Sequence, residues 1–187
     1  MTSIAKLKQI MNAIHYLLRF HLTAVLLFFA FQGSAATLHQ PPPKLFGRNI
    51  ETRELFTLQS VKQTPIVLNF FWNECLPCIL ELPHLALLEA QFPYVTFIAV
   101  HSGINTSTEK NYTPEAVKRF IASLPSSPKT IIWSSAQTLK KHWEINHYPA
   151  TILINQDHTI EHILLGYNPT NLTRLNQWLK KQKLIQD

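Results

Sequence analysis

Cysteine is nearly absent from this chain: 187 residues hold only Cys75 and Cys78. One pair permits one disulfide at most, across two intervening residues, and so short a loop constrains the unfolded chain less than a longer one would. A purely structural cross-link is the weaker use of such a pair. A zinc site would need two further ligands, with His84, His142 and His147 as candidates, and no second Cys pair is present to supply them. No resident metal is expected. Clusters of Lys and Arg interleaved with aromatics are also missing, which removes nucleic acid as a partner. The chain has no internal repeat and no low-complexity segment. Long apolar runs are scarce too: Leu22–Phe31 is shorter than the roughly 20 residues a membrane span needs.

That run belongs to a distinct N-terminal segment. Residues 1–36 carry Lys6, Lys8 and Arg19, no acid, the apolar stretch, and then Gly33-Ser34-Ala35-Ala36. Basic start, apolar middle and small-residue end are the marks of a secretory signal, with cleavage after Ala36 as the expected outcome. An uncleaved membrane anchor is the alternative, if Tyr16-Leu17-Leu18 extends the run across Arg19 and His21. Three of the 17 Lys and Arg lie here, leaving 14 against 11 Asp and Glu in the remainder. The high pI of about 9.4 is thus partly a property of the leader. Residues 37–187 match one ordinary domain with its own core.

The two cysteines sit where an apolar strand, Pro65-Ile66-Val67-Leu68-Asn69-Phe70-Phe71, gives way to the helical pattern Ile79-Leu80-Glu81-Leu82. Cys75 should therefore stand at a helix N-terminus, where free backbone N–H groups and the macrodipole favour a thiolate, the species that attacks disulfides. Pro77 fits the first turn, where its missing N–H costs nothing. The three-residue spacing puts Cys78 on the same face, placed to resolve a mixed disulfide on Cys75.

Further along, Leu38–Lys44, with its three prolines, reads as an extended tether, and residues 51–60 as an edge strand or turn. Strands are predicted at Ile66–Phe71, Val95–Val100 and Thr130–Trp133, with a helix from Pro77 toward Ala90 kinked at Pro83. Thr113-Pro114-Glu115 opens a helix with an N-cap and a first-turn proline. A short helix is expected over 136–144, an antiparallel pair at Ala150–Asn155 and Thr159–Gly166, and a closing helix from about Thr170 to Leu184. Strand and helix alternate as in an α/β domain.

The stretch Val67–Pro83, with its Cys-x-x-Cys-x-x-Glu-x-Pro pattern after a buried strand, resembles thioredoxin-fold reductases of the TlpA/ResA/CcmG-like family. A second, distant motif supports it: Tyr148-Pro149-Ala150-Thr151-Ile152 resembles that family's cis-proline loop entering a strand. The resemblance implies a thioredoxin-like α/β fold, a central mixed sheet flanked by helices, with a helical insertion between Ser102 and Lys129. It implies thiol-disulfide exchange, with no cofactor.

On this resemblance Cys75 is the exposed nucleophile, Cys78 the shielded resolving thiol, and Glu81 an active-site acid/base. The apolar neighbours of Glu81 favour a partly buried carboxyl with raised pKa over a solvated helix carboxylate. Asn69 stands where thioredoxin has a buried aspartate and cannot carry a proton. Tyr148 and Pro149 would present backbone to an extended substrate. Trp72 and Phe71 would form an apolar docking rim, against the alternative that they are core.

Glu74 departs from the family pattern, which has Trp there; its charge beside Cys75 disfavours the thiolate, and no histidine lies between the cysteines as in DsbA-like oxidants. Both features point to a reductant; together with the export signal, the resemblance implies a reductase of exported proteins on the periplasmic or extracytoplasmic side, as in cytochrome c maturation. A DsbD-like or CcdA-like membrane donor is implied, and a monomer is expected. A disulfide oxidase or isomerase, or a copper or zinc metallochaperone, are the competing functions.

Overall fold

The computed structural model describes residue 15 and residues 36–62, 65–103, 113–135, 139 and 142–186. The signal or anchor expected over 1–36 lies almost wholly outside them, as does most of the helix expected over 136–144, of which Leu139 and His142 are helical. Among the described residues no helix is long and apolar enough to cross a membrane.

Seven strands form one mixed sheet: β1 (Phe46–Asn49), β2 (Leu55–Thr57), β3 (Ile66–Phe71), β4 (Thr96–Gly103), β5 (Thr130–Ser135), β6 (Ala150–Ile154) and β7 (Ile160–Leu165). Their order is β2-β1-β5-β4-β3-β6-β7. The α-helices with both ends among the described residues are α1 (Leu76–Gln91), α2 (Pro114–Ser123) and α3 (Pro169–Gln186). β3 pairs parallel with β4 and antiparallel with β6, so the strand that feeds the cysteines is central and all six of its residues are buried. The apolar, β-branched run that predicts β3 is what such a position requires.

Alternation along β3 divides the core. Ile66, Leu68 and Phe70 join Trp143, Ile152 and Ile154 in one cluster. Val67 points the other way, to Leu85 of α1 and Trp178 of α3. Phe71 joins Cys78 and Leu82 of α1 and Val117 of α2. Asn69 has the parity of Val67 and Phe71, so it lies under α1.

Thr113 caps α2, its side chain accepting the Ala116 N–H at 3.2 Å, with Pro114 in the first turn. Helix α1 runs through Pro83 without ending there. β1 was not legible: Phe-Gly-Arg-Asn lacks any apolar alternation. Gly47 is required there, since a Cβ would strike the Ile132 side chain and the Trp133 carbonyl of neighbouring β5. Leu38–Lys44 is a docked segment and not a free tether. The His39 N–H donates to Ile160 O at 2.7 Å, the Ile160 N–H donates to Gln40 O at 3.0 Å, and the following Leu45 is fully buried.

Candidate active site

Cys75 is the N-cap of α1, in extended conformation, and Cys78 lies in the first turn. The turn closes because the Cys75 N–H donates to Trp72 O, while the Cys75 carbonyl accepts the N–H groups of Cys78 and Ile79. The Cys78 N–H also reaches the Cys75 sulfur, at 3.2 Å. The two cysteines form a disulfide with Cα atoms 5.2 Å apart. Cys78 is fully covered and Cys75 keeps only 6 % of its surface exposed. The nucleophile expected to be exposed is thus nearly buried in this disulfide form, because Phe71, Leu82 and the half-buried Trp72 pack in the same cluster.

Glu81 lies one turn beyond Cys78 and is 4 % exposed. Asn69 Nδ2 donates to its Oε2 at 2.7 Å and the Thr151 hydroxyl to its Oε1 at 3.2 Å. Asn69 Nδ2 also donates to Thr151 Oγ1 at 2.9 Å. Burial removes water from the carboxylate and raises its pKa from 4.5 to about 7, against the two hydrogen bonds, which lower it. A group poised near neutrality can take and return a proton under ordinary conditions.

Tyr148–Pro149 is a cis peptide bond. Pro149 is buried, and its carbonyl accepts the Gly166 N–H at 2.7 Å, tying the loop to the end of β7. Tyr148 is half-buried and packs against the cluster that holds the cysteines. Its burial raises the phenol pKa, with a hydrogen bond to Ser102 opposing.

Phe71 does not belong to a docking rim. It is fully buried and packs on Phe120 and on the edge of His101. Leu82 of α1 and Val117 and Phe120 of α2 cover Phe71, while Trp72, one residue past the strand, stays partly exposed. The exposed apolar residues flanking the disulfide are Leu76 and Leu80 of α1. Glu74 is exposed on the loop before Cys75. His84, His142 and His147 are not gathered with the cysteines, and no cluster of three or more His, Cys, Asp or Glu suited to a metal occurs among the described residues.

Two contributors escaped the sequence reading. Thr151 reaches Glu81 because β6 pairs it with Asn69. His101, at the end of β4, is fully buried, and its Nε2 pairs with Asn73 Oδ1 in the loop before Cys75. Burial lowers its pKa from 6.5 to about 4. Neither residue stands in a sequence pattern that signals its role.

A mixed sheet, a disulfide at the N-terminus of the helix that follows its interior strand β3, and a cis-proline entering the neighbouring strand β6 decide the architecture. The fold is thioredoxin-like. Solved structures share it at low sequence identity. A candidate DsbE thiol:disulfide interchange protein from Chlorobium tepidum superposes with a TM-score of 0.66 at 16 % identity, over 79 % of this chain and 99 % of that one. StoA from Bacillus subtilis matches with a TM-score of 0.56 at 23 % identity, over 73 % and 96 %. The exposed lipoprotein thioredoxin of Streptococcus pneumoniae matches with a TM-score of 0.60 at 14 % identity, over 74 % and 98 %. No protein-family model and no curated protein matches the chain. The structural neighbours therefore coincide with the group that the Cys-x-x-Cys-x-x-Glu-x-Pro and Tyr-Pro motifs resemble.

Proposed function

We propose that this protein is a thiol-disulfide oxidoreductase that reduces disulfides in exported proteins by exchange through Cys75 and Cys78. The observation that carries this reading is the Cys75–Cys78 disulfide at the start of α1, with the buried carboxyl of Glu81 one turn behind it. In the dithiol form the Cys75 thiolate attacks a substrate disulfide, making a mixed disulfide and expelling a substrate thiolate. Cys78 gives its proton to Glu81, attacks the Cys75 sulfur and expels the second substrate thiolate, so two electrons leave the protein and its own disulfide closes.

Tyr148 and Pro149 bind the substrate in extended form, main chain to main chain, and Trp72 with Leu76 supplies the apolar rim. The reducing direction is supported by the charge of Glu74 beside Cys75 and by Leu-Pro, without histidine, between the cysteines. Reducing equivalents come from a DsbD-like or CcdA-like membrane protein, and apocytochrome c is one acceptor class. The protein acts as a monomer of residues 37–187 outside the cytoplasm, delivered by residues 1–36 as signal or anchor; the exposed lipoprotein thioredoxin among the structural neighbours supports this placement.

Equilibration with glutathione buffers tests the direction. A potential below about −200 mV, toward that of thioredoxin, supports the reductase; one near −120 mV, as in DsbA, makes it an oxidase. Mixed disulfides stalled by Cys78→Ala would then identify the substrates.

A further inference from the structure

Three elements converge on the Glu81 carboxyl: its own helix α1, the central strand β3 through Asn69, and β6 through Thr151. The hydrogen bonds among them lead to the carboxylate: the Asn69 amide nitrogen donates to Glu81 Oε2 and to Thr151 Oγ1, and the Thr151 hydroxyl donates to Glu81 Oε1. This wiring suits an ionised Glu81, which only accepts. A carboxylic acid carries an O–H that needs an acceptor, and in this wiring the Thr151 oxygen accepts it only by turning its own donor away from Glu81.

One acceptor is nevertheless built in. Asn69 is 1 % exposed, and its Oδ1 is buried without a hydrogen-bond partner among the described residues. A buried unsatisfied carbonyl is disfavoured and calls for an explanation. The two ends of an amide are nearly equal in size, so a half-turn about the terminal side-chain bond exchanges them without repacking. After that half-turn Oδ1 occupies the place of Nδ2, 2.7 Å from Glu81 Oε2 and 2.9 Å from Thr151 Oγ1, the separations Nδ2 has now. There it accepts the O–H of the acid and that of the threonine. One buried amide atom lacks a partner in either orientation, so the proton on Glu81 decides between them.

We propose that Asn69 is the positioning residue for Glu81, its amide presenting N–H to the carboxylate and, turned over, C=O to the carboxylic acid. This rests on the reading of Glu81 as the group that takes the Cys78 proton, and extends it: the same residue holds the carboxyl in place before and after transfer. Leucine at position 69 would serve neither state, whereas an amide offers a donor and an acceptor at equal reach. Besides Cys75 and Cys78, which are joined in the disulfide, the titratable groups on elements packed around Glu81 are His84 and Glu89 on α1, Tyr148 on the loop entering β6, and His101 on β4 beside β3. No Lys or Arg contributes to the environment of Glu81.

Nuclear magnetic resonance of the full-length, oxidised, isotope-labelled chain tests this. The Glu81 side-chain carbon should titrate, and the Asn69 side-chain amide resonances should move with the same midpoint, losing their proximity to the Thr151 methyl at low pH. In Glu81→Gln the Asn69 movement should vanish. Asn69 resonances that stay flat through the Glu81 titration, or that still titrate in Glu81→Gln, would overturn the assignment. In Asn69→Leu the carboxylate loses a donor and the acid an acceptor, and because the charge-assisted bond to the carboxylate is the stronger of the two, the midpoint of Glu81 should rise, while Thr151→Ser, which keeps the hydroxyl, should leave it in place; a midpoint that falls in Asn69→Leu would also overturn it. Insulin reduction by the wild-type chain separates the two claims. Its absence sinks the thiol-disulfide reading, whereas intact reduction with an unresponsive amide sinks the Asn69 assignment alone.

Discussion

The sulfur of Cys75 accepts the backbone N–H of Cys78 at 3.2 Å, so the second cysteine of the pair helps to cap the helix on which the first depends. In the reduced protein the same N–H would stabilise a Cys75 thiolate, and Cys78, with no exposed surface, has less access to reagents. Iodoacetamide at neutral pH should therefore label Cys75 well before Cys78, as peptide mass mapping would show. Cys75→Ser should abolish insulin reduction; equal labelling rates would refute the order of attack.

Glu81 and His101 should give the folded state opposite responses to acid. The folded pKa of Glu81 is raised to about 7, so its contribution to stability is full below 4.5 and is lost as pH rises through 7. The folded pKa of His101 is lowered to about 4, so its contribution is full above 6.5 and is lost as pH falls toward 4. Each shift corresponds to at most about 3 kcal/mol, and between 4.5 and 6.5 the two trends offset. Urea midpoints of the wild type should vary little there, fall on acidification in Glu81→Gln, and rise on acidification in His101→Gln. Parallel curves for all three proteins would contradict the assignments.

Removing the charge before the nucleophile should strengthen the thiolate. Glu74 is exposed, so its effect on Cys75 should be modest and should shrink with salt. Thiolate absorbance at 240 nm as a function of pH should show a lower Cys75 pKa in Glu74→Gln, and redox equilibration a less reducing protein. A pKa that stays or rises means the carboxylate points away from the sulfur.

Gly47→Ala should destabilise the domain by about 1–3 kcal/mol, since the new methyl meets Ile132 and the Trp133 backbone across the β1–β5 pair. Because the new methyl meets none of Cys75, Cys78 and Glu81, the redox potential should not change. Denaturant unfolding and glutathione equilibration measure the two separately.

Much of the scaffold was readable in one dimension because its signals are local. The apolar run of β3, the Thr113-Pro114 start of α2 and the paired strands β6 and β7 each announce themselves within a few residues, and each element forms where it is expected. β1 was not readable, because its four residues are held by partners on both sides and carry no alternation of their own. Phe71 and Trp72, adjacent aromatics, could not be told apart as core and rim until the end of β3 and the helices covering Phe71 separated them.

The sequence by itself determined that this chain carries one redox-competent cysteine pair at a strand-to-helix junction, together with a distant Tyr-Pro loop that resembles its counterpart in thioredoxin-fold reductases. Those are matters of spacing and residue type, which survive without coordinates. The state of Glu81 was decided only by the tertiary structure. Its burial comes from α1 lying over the sheet, and its two donors from the register that sets Asn69 opposite Thr151, residues 82 positions apart. Dehydration and hydrogen bonding act through space, so the Glu81 carboxyl acquires its character only when the strands align beneath the helix.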